Sequence, residues 1–157
     1  MSIACLPEVA QSKSLPFPSN STLKQRPSIS SQLEQLTGIW EGSYTCGQGL
    51  TRLRLAINAR STSEIDALFI FSAHPNNPGV PSGMFAMQGI YQIFGLSEMP
   101  NRLELNATEW IQRPSGYGTV DLAGTLYLDE NRLIGNVANS RCSTFDIERV
   151  SDLDEAE

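Results

Sequence analysis

From Ile39 to Arg149 apolar residues recur at every second position, and this period of two most constrains what the chain can become. An extended strand points successive side chains to opposite faces, so sustained alternation marks a strand with one buried face. Trp40, Gly42, Tyr44 and Cys46 alternate with Ile39, Glu41, Ser43 and Thr45, and Leu53, Leu55 and Ile57 with Arg52, Arg54 and Ala56. The pattern returns in Ile65–Phe71, Gly83–Phe94, Leu103–Ala107, Val120–Leu128, Leu133–Val137 and Phe145–Arg149. That makes about eight short strands, with turn signals every 8–15 residues or so. No interval holds a helical pattern of about ten residues, which a parallel crossover needs. Cys46-Gly47-Gln48-Gly49 and Asp129-Glu130-Asn131 read as hairpin turns. Gly89, Gly124 and Gly135 lie inside strands, where glycine suits a sharp bend or a close neighbour. A small closed barrel needs both more than a sandwich does. The predicted fold is all-β, an antiparallel up-and-down barrel of about eight strands over residues 37–150.

The ends read differently. Residues 1–36 carry Pro7, Pro16, Pro18 and Pro27 among many Ser and Asn, with no apolar periodicity before Leu33. Such a segment buries too little to offset its ordering entropy, so a flexible arm is expected. It has neither a basic start nor an apolar run, so no secretory signal is read, and Ser2-Ile3-Ala4-Cys5 lacks the apolar stretch of a lipoprotein signal. A short helix is expected near the arm's end: Ser31 and Glu34 have capping-box spacing, Leu33 and Leu36 share a face, and Gly38 stops it. Residues 151–157 read as an acidic, solvated tail.

Composition excludes several functions. At 157 residues the chain suits one domain, and 40% hydrophobic content is globular. A net charge of −6 disfavours nucleic acid and anionic membrane surfaces. No run approaches the roughly 18 apolar residues of a membrane span. One His and three Cys leave little for a metal site, and no G-x-S-x-G, H-E-x-x-H or Cys–His pairing suggests a hydrolase. No catalytic residue, metal or cofactor is assigned, and a cytoplasmic location is expected.

The cysteines test closure. Cys46 ends the first strand and Cys142 precedes the last. In an up-and-down barrel these strands pair, which brings both cysteines to one rim. They form a disulfide there, or remain free thiols in a reducing cytosol.

Gly38-Ile39-Trp40 follows a short helix and opens the first strand, and Arg149 ends the last. This layout resembles the calycins, the lipocalin, fatty-acid-binding and avidin-like barrels, in which G-x-W on strand one packs under an Arg from the final strand. The resemblance implies that Trp40 fills the helix end, with Arg149 stacked on its ring and tying off loose carbonyls. The stretch from Trp40 to Arg149 also resembles an uncharacterised bacterial domain sometimes found beside caspase-like peptidases. That likeness rests on Trp40-Glu41-Gly42, Tyr44-x-Cys46, Asn77-Pro78-Gly79-Val80-Pro81-Ser82-Gly83, Trp110-Ile111, Arg113-Pro114-x-Gly116-Tyr117 and Cys142-x-x-Phe145, and it implies no activity.

Three regions are candidates for binding. His74 to Gly83, with Asn77, is long and stiffened by three prolines, a contact loop or a rigid crossover. Glu109, Trp110, Arg113 and Tyr117 combine aromatics with opposite charges, as interface hot spots do. If Leu103, Leu105 and Ala107 point inward, alternation also points Glu109 inward. It then orients a polar ligand at the mouth with Arg113, or forms a satisfied ion pair beside Trp110; a one-residue bulge would expose it instead. Phe69, Phe71, Phe85, Met87, Tyr91 and Phe145 face the interior and suggest a mostly filled barrel, with Tyr91 a further contact candidate. Leu68, Ile70, Met84, Ala86 and Ile90 make the outer face of strands three and four apolar, fit for a protein partner, the tail or a second copy. The function expected is a non-enzymatic binding or interaction module. The alternative is a calycin-type carrier of a small hydrophobic or tetrapyrrole ligand, resembling bilin lyases, with Glu109 and Arg113 inside.

Overall fold

The structure is a computed structural model that describes residues 28–94 and 100–153. Residues 1–27 of the expected flexible arm (1–36) and residues 154–157 of the expected tail (151–157) lie outside the described residues. Among the described residues, an α-helix, α1 (Ile29–Leu36), precedes eight strands: β1 (Gly38–Cys46), β2 (Gly49–Ser61), β3 (Glu64–Ala73), β4 (Gly83–Gln92), β5 (Asn101–Gln112), β6 (Asp121–Tyr127), β7 (Arg132–Ala138) and β8 (Thr144–Ser151). Each strand pairs antiparallel with the next, and β8 returns to β1 from Tyr44↔Phe145 to Ile39↔Ser151. The predicted eight-stranded closed barrel is therefore the fold.

Alternation decides which face is inside. In β2, Leu53, Leu55 and Ile57 are fully buried while Arg52 and Asn58 are exposed. In β3 it is Ile65, Ala67, Phe69 and Phe71 that turn inward. The interior is packed: Phe69 stacks on Phe85 at 4.6 Å, Tyr44 meets Phe69 edge-on at 5.2 Å, and Leu105, Leu122, Phe145 and Ile147 close the other side. Aromatic pairs of this kind contribute about 0.5–1.5 kcal/mol each beyond the area they bury. Gly124 and Gly135 face each other across β6 and β7. A Cβ on Gly124 would come within 2.8 Å of the Phe145 ring, so the glycine makes room for that side chain.

The helix begins one turn earlier than Ser31 suggests. Ser28 is the N-cap, its hydroxyl accepting from the Ser31 N–H at 3.0 Å. Ser31 is thus the capped residue and not the cap. The chain turns into β1 through Gly38 at φ +151°, where a side chain would strike Ser151 and Arg149. The helix closes this end of the barrel. Trp40 Nε1 donates to Leu36 O at 2.9 Å, Arg149 donates to Thr37 O at 2.8 and 3.1 Å, and Thr37 Oγ1 accepts from Ala59 N at 2.9 Å. Trp40 and Arg149 are partners in the β1–β8 ladder, and Arg149 ties off a helix-end carbonyl as expected. The expected stacking on Trp40 is not the contact formed: among the described residues, the cation–π pair is Arg113 over Trp110. Among the described residues, no helix is long and apolar enough to cross a membrane.

Candidate binding site at the barrel mouth

The end opposite the helix is built from the β1–β2 turn, the 74–82 connection, the 113–120 connection and the β7–β8 connection. The sulfurs of Cys46 and Cys142 lie there at disulfide distance, joining the end of β1 to the residues before β8. The backbone repeats the link, Ser143 N donating to Thr45 O at 2.9 Å, while Cys142 N donates to Asn139 O at 3.0 Å within the β7–β8 connection.

The 74–82 connection is pinned down. Asn77 Nδ2 donates to Gln48 O at 2.7 Å and to Leu50 O at 3.1 Å, tying this connection to the β1–β2 turn. Asn77 N bonds His74 O at 2.7 Å, His74 Nδ1 accepts from Asn76 N at 3.1 Å, and Val80 is buried. The amide of Asn77 is thus engaged in holding the connection in place.

Strand β5 departs from simple alternation. Met87 pairs with Ala107 but Ala86 pairs with Glu109, so Thr108 is an extra residue; a second shift leaves out Ile111. These are β-bulges, which reverse the facing of every residue after them. Glu109 is therefore exposed, contrary to inward alternation, and neither lines the interior nor pairs with Arg113. Trp110 turns in instead, edge-on to Phe85 at 5.2 Å and to Phe71 at 6.3 Å. The outcome follows from chemistry: a carboxylate among aromatic rings would lose its hydration, whereas an indole gains contacts there. The β5–β6 ladder stops at Leu105↔Leu122, and the Ala107 N–H that follows is taken by the Asp121 carboxylate at 2.8 Å.

Arg113 lies 5.8 Å from the Trp110 ring centre, and its Nε donates to Tyr117 O at 3.0 Å. That contact holds Tyr117 over the opening, its ring stacked on Phe71 at 5.5 Å. Trp110, Arg113 and Tyr117 thus form one unit at the mouth. Tyr91 does not join them. It is buried at the helix end, where Asn101 Nδ2 donates to its hydroxyl at 2.8 Å and to Gln32 Oε1 at 2.6 Å, and burial raises its phenol above the ordinary value.

Between these parts lies a cavity of about 320 Å³, with Gln48, Tyr117, Gly118, Asn139 and Arg141 around the opening and the edges of the nearly buried Tyr44 and Phe71 at its base, in front of the fully buried Phe69 and Phe85. Volume near 300 Å³ is the lower end for small-molecule sites, which are mainly apolar with a few placed polar groups. Burial pushes the Tyr44 phenol well up, against the opposing hydrogen bond from Gln48 Nε2 at 3.2 Å, so this hydroxyl stays protonated. Gln48 and Arg141 were not picked out by alternation, because turn residues have no period; their signal is a shared position at one rim. Among the described residues, no three His, Cys, Asp or Glu side chains gather to hold a metal. The closed barrel is compatible with a calycin-like architecture. Compared with family models, curated proteins and solved structures, the chain matches none.

Proposed function

We propose that this chain is a binding module, not an enzyme, and that its site is the barrel mouth. The observation that carries the reading is the cavity of about 320 Å³ at the mouth, backed by aromatic side chains; the larger hollow of about 570 Å³ beside the helix, at Leu33, Thr37 and Arg149, has no aromatic wall. Its aromatic floor favours a small, mainly apolar, flat ligand, and its braced rim lowers the ordering cost of binding. Calycin-like carriers provide the analogy. A four-ring tetrapyrrole would stand mostly outside a space this size, and Glu109, the carboxylate meant to meet it, faces solvent; a ligand of one or two rings fits better. A disulfide at the rim persists in oxidising compartments and is reduced in the cytosol. The cytoplasmic location expected from the sequence would therefore imply a dithiol there.

The test is NMR titration of the whole protein with small aromatic compounds. Backbone amides at Gly47–Gly49, Gly116–Gly118 and Asn139–Cys142 should shift together, and Gly118→Trp should abolish the shifts. A Cβ on Gly118 meets nothing within 4 Å, so a side chain can start there without striking the backbone. Shifts confined elsewhere, or none, would overturn the reading.

A second reading, a protein partner or second copy on the outer face of β3 and β4, is favoured by a specific observation. Leu68, Ile70, Met84 and Ala86 are only half-buried there, Ile111 beside them is 55% exposed, and a groove of about 380 Å³ runs past Leu68 and Ala86. If Ile70→Asp left self-association and partner capture unchanged, that surface would be eliminated.

A further inference from the structure

The chain carries a net charge of −6, yet its acidic groups are unevenly placed. The connections that build the mouth, residues 46–49, 74–82, 113–120 and 139–143, contain Arg113, Arg141 and His74 and not one Asp or Glu. The connections at the helix end carry Asp129, Glu130 and Asp152. The nearest carboxylates to the mouth along β5 and β6, Glu109 and Asp121, stand at outward register positions, and Asp121 is engaged by the Ala107 N–H. The mouth is thus a locally cationic opening on an acidic protein. Such a field concentrates anions at the opening and turns them toward it.

The two arginines are differently employed. Arg113 is held over Trp110 and bonded to Tyr117 O. Arg141 lines the cavity, its stem passing over Gly47, and its guanidinium pairs with no carboxylate among the described residues. Its place in the turn is fixed from the backbone, where its N–H donates to Asn139 Oδ1 at 2.9 Å. A guanidinium offers a planar fork that matches a carboxylate. Below it the floor is aromatic, and the Tyr44 hydroxyl, protonated, adds a donor. Ring contacts below and a cation above define a ligand with a flat apolar body and one negative end.

We propose that the mouth selects small aromatic acids: a carboxylate on one or two rings, the rings against Tyr117 and the edges of Tyr44 and Phe71, and the carboxylate on Arg141. This rests on the mouth being the binding site. The test is calorimetry of the whole protein with 2-naphthoate and with its neutral analogue 2-naphthamide, which has nearly the same shape. The acid should bind about tenfold tighter, the worth of one charge-assisted contact at a half-open rim. Arg141→Gln should lower naphthoate affinity to that of the amide. Arg60→Gln at the opposite end, which breaks the surface pair with Asp66 at 2.8 Å, should leave both affinities as they were. Equal affinities for acid and amide, both lost in Gly118→Trp, would overturn the acid preference and leave the mouth as the site. A preference that survives in Arg141→Gln would overturn the role given to Arg141. No heat from either compound at millimolar concentration would overturn the mouth and the preference together.

Discussion

The two ends of this barrel are closed by different means. At the helix end the polar groups bond one another: Trp40 Nε1 to Leu36 O, Arg149 to Thr37 O, and Asn101 to both Gln32 and Tyr91. At the mouth, side chains also hold the frame, Asn77 on Gln48 O and Leu50 O, Arg113 on Tyr117 O, and Cys46 against Cys142, but Arg141 lines the opening and pairs with no carboxylate among the described residues. Both ends thus spend side chains on stability; the mouth differs in keeping one cation unpaired. A braced frame around an unpaired charge is what a preorganised site requires.

Three measurements can break or sharpen this contrast. The largest effect should come from replacing both mouth cysteines, Cys46→Ala with Cys142→Ala. The bridge spans a sequence separation of 96, so in the chain-entropy model its loss in oxidised protein costs about 4–5 kcal/mol. Denaturant unfolding with and without reductant checks this. If reductant leaves the parent midpoint unmoved, the rim is held by hydrogen bonds alone. Next, Trp40→Ala at the helix end should cost about 3–5 kcal/mol by emptying a fully packed site, while leaving ligand affinity at the mouth near its parent value. A matching loss of affinity would show that the two ends are coupled. The smallest effect belongs to Asn77→Ala, which removes two hydrogen bonds to Gln48 O and Leu50 O, at about 1–3 kcal/mol. Amide hydrogen exchange should rise in 74–82 and 48–50 and stay unchanged in α1. Uniform acceleration across the barrel would deny that Asn77 acts as a local brace.

The barrel was legible because its signal is cumulative. Eight alternating runs agree on one inner face, and ring closure follows once the first and last run are neighbours, which is why Cys46 and Cys142 could be paired by topology. The mouth was legible only in pieces. Trp110, Arg113 and Tyr117 stand out by type, but Glu109 follows alternation only until a bulge intervenes. A bulge is one residue of extra backbone, favoured here by Trp110 packing on Phe71 and Phe85 from two other strands. No local pattern contains that information. For Tyr91 the inward facing was legible and the position was not: facing inward says nothing of which end a residue occupies, and β4 carries it past the middle to the helix. The capping-box spacing at Ser31 does not decide the cap, because Ser28, three residues earlier, offers the same hydroxyl and takes the Ser31 N–H.

Gly38 and Ser151 come together where β1 begins and β8 ends, Ile39 and Ser151 being ladder partners. Ser28 and Leu153, where the described residues begin and end, lie on the plugged side. A tether attached directly at either of these positions would leave the barrel from the side opposite the mouth. The same adjacency makes the barrel a candidate for circular permutation, with new termini cut in the 128–131 turn, which lies on that same plugged side and leaves the mouth intact.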